Sequence, residues 1–115
     1  MNGIIPKLSA DQLLGLVATK IHEGNEDVAM RVLQEWLTCH GDKPIAYMAW
    51  YELGLLFYKK ENYGNAETAF RSALQNDPCL PDAALKLGEA IHAGLEDSKD
   101  LRNLAVSEST HGKLH

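Results

Sequence analysis

Residues 49–78 read AWYELGLLFYKKENYGNAETAFRSALQNDP. Trp50, Leu53, Gly54 and Phe57 fall at helical spacing, and so do Ala66, Phe70 and Ala73. Apolar residues at i, i+3, i+4 and i+7 predict two amphipathic helices here. Gly54 is the informative residue, because a glycine inside a helix costs about 1 kcal/mol relative to alanine and needs a packing reason. Gly54 and Ala66 are small, so the two helices can approach closely while Phe57 and Phe70 fill the space beside them. Pro78 ends the second helix, since proline disfavours helical backbone in the residue ahead of it.

The same reading extends in both directions. SADQLLGLVATKIHEG opens with Ser9 and Gln12 in capping-box spacing, carries Leu13, Leu14, Leu16, Val17 and Ile21, and closes at Gly24, suited to a left-handed turn. NEDVAMRVLQEWLTCHG begins at Asn25 with acids in its first turn, turns Val28, Ala29, Val32, Leu33 and Trp36 inward, and stops at Gly41. Pro44 is acceptable in the first turn of the next helix. Beyond Pro78, PDAALKLGEAIHAG and EDSKDLRNLAVS predict two more helices. Strand signals are nearly absent. Six helices with short connections make antiparallel neighbours, so the chain is expected to be all-α, with about three helical hairpins.

Spacing and period together resemble the tetratricopeptide repeat, whose signature is W-x2-L-G-x2-Y, then A-x3-F, then P, in 34 residues. Residues 47–80 carry it as Trp50, Leu53, Gly54, Phe57, Ala66, Phe70, Ala73 and Pro78, with Phe57 replacing the tyrosine but keeping a ring. One period on, Leu87, Gly88 and Ile91 repeat Leu53, Gly54 and Phe57, with Ala84 in the tryptophan position. The helix after it departs: Asp100 and Ser107 stand where alanines belong, although Leu101, Leu104 and Ala105 keep a narrow apolar stripe. One period back, Ala29 and Leu33 align with Ala66 and Phe70, but about three additional residues around Pro44–Ala46 break the period. The resemblance implies a right-handed superhelix of stacked hairpins, an α-α solenoid. Its repeats cover about 9–43, 47–80 and 81–106, with an N-terminal arm over 1–8 and a flexible tail over 107–115. Helix six, polar on its outer face, is expected to cap Leu87 and Ile91. A capped monomer follows, with weak self-association through the N-terminal hairpin as the alternative.

Composition narrows the function. The 115-residue chain is 45% hydrophobic and carries 11 Lys and Arg against 16 Asp and Glu, a net charge of −5. No basic run suits a phosphate backbone, so nucleic acid is a poor partner. No apolar run reaches membrane-spanning length and no leader pattern opens the chain, which favours a cytoplasmic protein. Cys39 and Cys79 are too sparse for a disulfide framework and are expected to be reduced, packed thiols.

Members of the resembled family bind peptides or partner proteins in the concave groove of their first helices, termed A helices. Register carries that groove onto Asp11, Leu14, Ala18, Ile21 and His22 in the first repeat. In the second it falls on Met48, Tyr51, Glu52, Leu55, Tyr58 and Lys59, and in the third on Asp82, Leu85, Lys86, Glu89 and His92. Its centre, Tyr51, Tyr58, Leu55 and Met48, is apolar and adaptable, with acidic edges, though some of these residues can instead pack between neighbouring A helices. Chaperone-binding relatives grip a C-terminal carboxylate with lysine, asparagine and arginine. The corresponding positions here hold Leu14, Ala18, Glu52, Asp82 and Lys86, so the carboxylate clamp is absent. A looser likeness joins this run to the repeats that precede the catalytic domain of bacterial glycosyltransferases of the O-linked N-acetylglucosamine type. That likeness implies, as the alternative, a regulatory or substrate-recognition region of such an enzyme.

Catalytic patterns are weak. His22, His40 and His92 have no nucleophile or carboxylate at a convincing spacing. Cys39 and His40 are sequence neighbours on a helix and cannot face each other. His111 and His115 have a helical metal spacing, but their segment is polar and interrupted by glycine. No catalytic residue, metal or cofactor is expected, and the leading function is a non-enzymatic scaffold for protein–protein interaction.

Overall fold

The computed structural model describes residues 3–113, with side chains over 3–97. Five α-helices follow one another: α1 (Ala10–His22), α2 (Glu26–His40), α3 (Tyr47–Lys59), α4 (Tyr63–Asn76) and α5 (Pro81–Lys113). α1 pairs with α2 and α3 with α4 as antiparallel hairpins, and the start of α5 packs on α4. Among the described residues there is no strand.

The hairpin turns show why the chain reverses where it does. Ser9 and Gln12 close a reciprocal capping box at the start of α1: the Gln12 N–H donates to Ser9 Oγ at 3.2 Å, and the Ser9 N–H donates to Gln12 Oε1 at 2.9 Å. α1 ends in a left-handed Gly24 at φ 82°, with Asn25 N–H reaching back to the Lys20 carbonyl at 2.8 Å. The second hairpin repeats this turn residue for residue. Asn62 N–H bonds the Phe57 carbonyl at 2.9 Å, but the left-handed position is held by Glu61, at φ 62°. A side chain in this conformation costs about 1–2 kcal/mol. Glu61→Gly is therefore expected to raise stability by about 1 kcal/mol in chemical denaturation; a loss would mean that the glutamate side chain is needed at the turn.

Two linked clusters form the core. Leu13, Val17, Ala29, Leu33, Trp36, Ala49 and Leu53 bury the first, between α1, α2 and α3. Ala66, Phe70 and Ala90 bury the second, with Tyr51, Leu55, Tyr58 and Leu87 packed against it. Phe57 touches both clusters. A methyl group on Gly54 would lie 2.5–2.9 Å from three atoms of the Phe70 ring, so the glycine is required by the closeness of α3 and α4.

The N-terminal arm docks on α2 through Pro6 and Leu8. A 3-10 turn at Ile5–Lys7 lies along α2, where the Trp36 indole N–H donates to the Leu8 carbonyl at 2.9 Å. His40 Nε2 meets the Pro6 carbonyl at 2.6 Å, and its ring lies tilted by 33° against Trp36 with centroids 4.5 Å apart. The residues that break the repeat period, Pro44–Ala46, form a second 3-10 turn with Ala46 buried. The Trp50 indole N–H fastens that connection by donating to the Gly41 carbonyl at 3.0 Å.

The expected third hairpin is not formed. α5 is one unbroken helix from Pro81 to Lys113, replacing the turn near Gly94, the sixth helix and the start of the flexible tail. One period after Glu61 and Asn62 stand Leu95 and Glu96, which supply neither a left-handed residue nor an asparagine cap. A lone glycine does not stop a helix, because its cost is only about 1 kcal/mol. Leu87 is accordingly covered by the α3–α4 cluster rather than by a sixth helix. The side chains of Leu101, Leu104 and Ala105, and residues 114–115, lie outside the described residues. Gly88, the period mate of Gly54, has nothing within 4 Å of where a methyl group would sit. Opposite signs are thus expected at the two glycines. Gly54→Ala should destabilise by about 1–3 kcal/mol through overpacking, and Gly88→Ala should stabilise by up to about 1 kcal/mol. Urea midpoints measure both, and a destabilising Gly88→Ala would mean that a further helix is seated there.

Candidate functional site: the face of α1, α3 and α5

The sequence-derived groove residues divide into two neighbourhoods. At the α1–α3 end, Leu14, Val17, Ala18, Ile21, His22 and Glu52 line one open cleft of about 500 Å³. Val17 is its buried floor, whereas Ala18 and His22 are exposed at its edge. Burial pushes the Glu52 carboxyl up from its ordinary value. Among the described residues Glu52 has no ion pair, and four lysines of the helices are engaged with other acids. Lys20 meets Glu23 at 3.5 Å, Lys60 meets Asp27 at 2.8 Å, Lys86 meets Glu89 at 3.3 Å, and Lys59 pairs with Glu26.

At the α3–α5 end, Tyr51 is central. Its hydroxyl is pushed up first by burial and then by the charge of Asp82, while Lys86 opposes the shift. The Tyr51 ring lies 5.9 Å from Phe70, and Tyr58 meets Tyr63 edge-on at 5.4 Å. Both tyrosines, with Leu55, belong to the margin of the second core cluster. Met48 and Glu89 are half-buried, Lys86 likewise, while Leu85 is 61% exposed and His92 is exposed. Lys59 is exposed and held toward Glu26 at the start of α2.

A cleft on the opposite side was not legible in the repeat register. About 350 Å³ in volume, it lies between α2 and α4 over Leu37, Trp50, Leu53 and Phe57, with Gln34, Thr38, Asn65 and Thr68 at its rim. Among the described residues its lining carries no formal charge. The signal for it is the uncharged polar residues four and three positions apart on α2 and α4, Gln34 with Thr38 and Asn65 with Thr68.

Cys39 and Cys79 are unpaired and exposed, not packed as composition suggests: Cys39 sits in the last turn of α2, and Cys79 in the α4–α5 connection. Among the described residues there is no group of three or more His, Cys, Asp or Glu that could hold a metal ion. His115 lies outside them, as does the side chain of His111. Among the described residues no helix is long and apolar enough to cross a membrane.

Comparison with protein families identifies the architecture. A tetratricopeptide repeat family model matches residues 27–81 and again 51–101. The chain belongs to the tetratricopeptide repeat family. Comparison with curated proteins and with solved structures returns no match. Repeats of this family generally mediate protein–protein interaction.

Proposed function

We propose that this protein is a non-enzymatic interaction module that receives a peptide or helix of a partner protein along α1, α3 and α5. The observation that carries the reading is the α1–α3 cleft. Leu14, Ala18, Ile21, His22 and Glu52, assigned to the groove by repeat register, line one concavity. An apolar floor with few polar groups is the usual form of a recognition site. Half-buried Met48 and exposed Leu85 extend an adaptable apolar surface toward α5. The two exposed thiols suit a reducing compartment such as the cytoplasm.

Ala18 offers a clean test, because it is exposed at the edge of the cleft and outside both core clusters. Ala18→Arg should weaken peptides selected against the full chain from a display library by about tenfold or more, a loss of about 1.4 kcal/mol or more. Helicity and the denaturation midpoint should stay unchanged. Undiminished binding to this variant would place the recognition surface elsewhere, and Asn65→Arg in the opposite cleft is the matched control.

A further inference from the structure

We propose that the α1–α3 cleft is a socket for a basic side chain of the partner, with Glu52 receiving the ammonium or guanidinium head. The proposal rests on the groove reading above and names the chemistry of what the groove takes. Leu14, Val17 and Ile21 give the cleft apolar walls suited to the aliphatic stem of a lysine or arginine. At about 500 Å³ it has room for that side chain and an apolar neighbour. Among the described residues Glu52 is the only acid in the lining. A half-buried carboxylate without a cation is costly, and a partner's positive charge removes that cost on binding. Among the described residues the protein supplies no cation to Glu52. Lys20, Lys59, Lys60 and Lys86 each hold another acid, and His22, although it lines the cleft, makes no hydrogen bond to Glu52. The net charge of −5 favours approach of a basic segment over an acidic one. Arginine and lysine share this chemistry, and a planar fork against a point charge separates them in affinity.

Three acetylated 14-residue amphipathic peptides test the socket. They are identical except for one residue at the centre of the apolar face, which is Arg, Leu or Glu. Fluorescence anisotropy with the full-length chain reads their affinities. The Arg peptide should bind about tenfold tighter than the Leu peptide, and tighter still than the Glu peptide, as expected for a charge-assisted hydrogen bond in a partly dry site. Glu52→Gln should bring the Arg and Leu peptides within about twofold, and Ala18→Arg should weaken all three. Equal affinity of the Arg and Leu peptides for the native chain, with binding still lost in Ala18→Arg, overturns the socket and leaves the groove standing. Binding that ignores Ala18→Arg, or no binding by any of the three at millimolar concentration, overturns both. The peptide comparison uses the native chain, so it stands even if a variant is poorly folded.

Discussion

Phe70→Ala is expected to lower the unfolding free energy by about 3–5 kcal/mol. The ring is fully buried, lies under Gly54, and forms the second core cluster with Ala66 and Ala90, so it ties α3, α4 and α5 together. Alanine would leave a cavity beside Tyr51, Leu55, Phe57 and Leu87, whose positions are fixed by their own helices so that they fill it only in part. Small domains have about 5–15 kcal/mol in total, so the variant should sit near its unfolding threshold. A urea titration followed by circular dichroism measures the effect. An unchanged midpoint would remove Phe70 from the hairpin core.

Trp36→Ala is expected to cost a similar amount, about 3–5 kcal/mol, for a different reason. Trp36 is 2% exposed and anchors the first cluster, while its indole N–H reaches out to the Leu8 carbonyl. Alanine loses the buried surface and the tie to the arm together. Trp36→Phe separates them: most of the burial stays, the hydrogen bond goes, and the loss from that bond is about 1 kcal/mol. Limited proteolysis within residues 3–8 should then accelerate in the phenylalanine variant while α2 stays protected. Equal protection of the arm in native and variant chains would show that the indole bond does not hold it.

What was legible in the sequence was local. The capping box at Ser9 and Gln12, the left-handed Gly24 and the small-against-large contact of Gly54 with Phe70 each rest on residues a few positions or one hairpin apart. The docked arm was not legible, because the contacts of Trp36 with Leu8 and His40 with Pro6 span 28 and 34 residues and end on backbone carbonyls, which leave no mark in the residue types. The last helix misled for a related reason. Gly94 resembles a stop, yet the two real turns use a left-handed residue followed by asparagine, and Leu95–Glu96 provide neither. In the site, register assembled the α1–α3 cleft from Leu14, Ala18, Ile21 and Glu52. It could not say how far Tyr51 and Tyr58 would be drawn into packing, since that depends on Phe70 and Tyr63 across the hairpin.

Partners are expected to meet the α1–α3–α5 face. Amide chemical shifts of the full chain, recorded while a display-selected peptide is titrated in, test it most directly. The expected result is a contiguous set of shifts over Leu14–His22, Met48–Leu55 and Leu85–His92. Shifts confined to Gln34, Thr38, Asn65 and Thr68, across the opposite cleft, would contradict it.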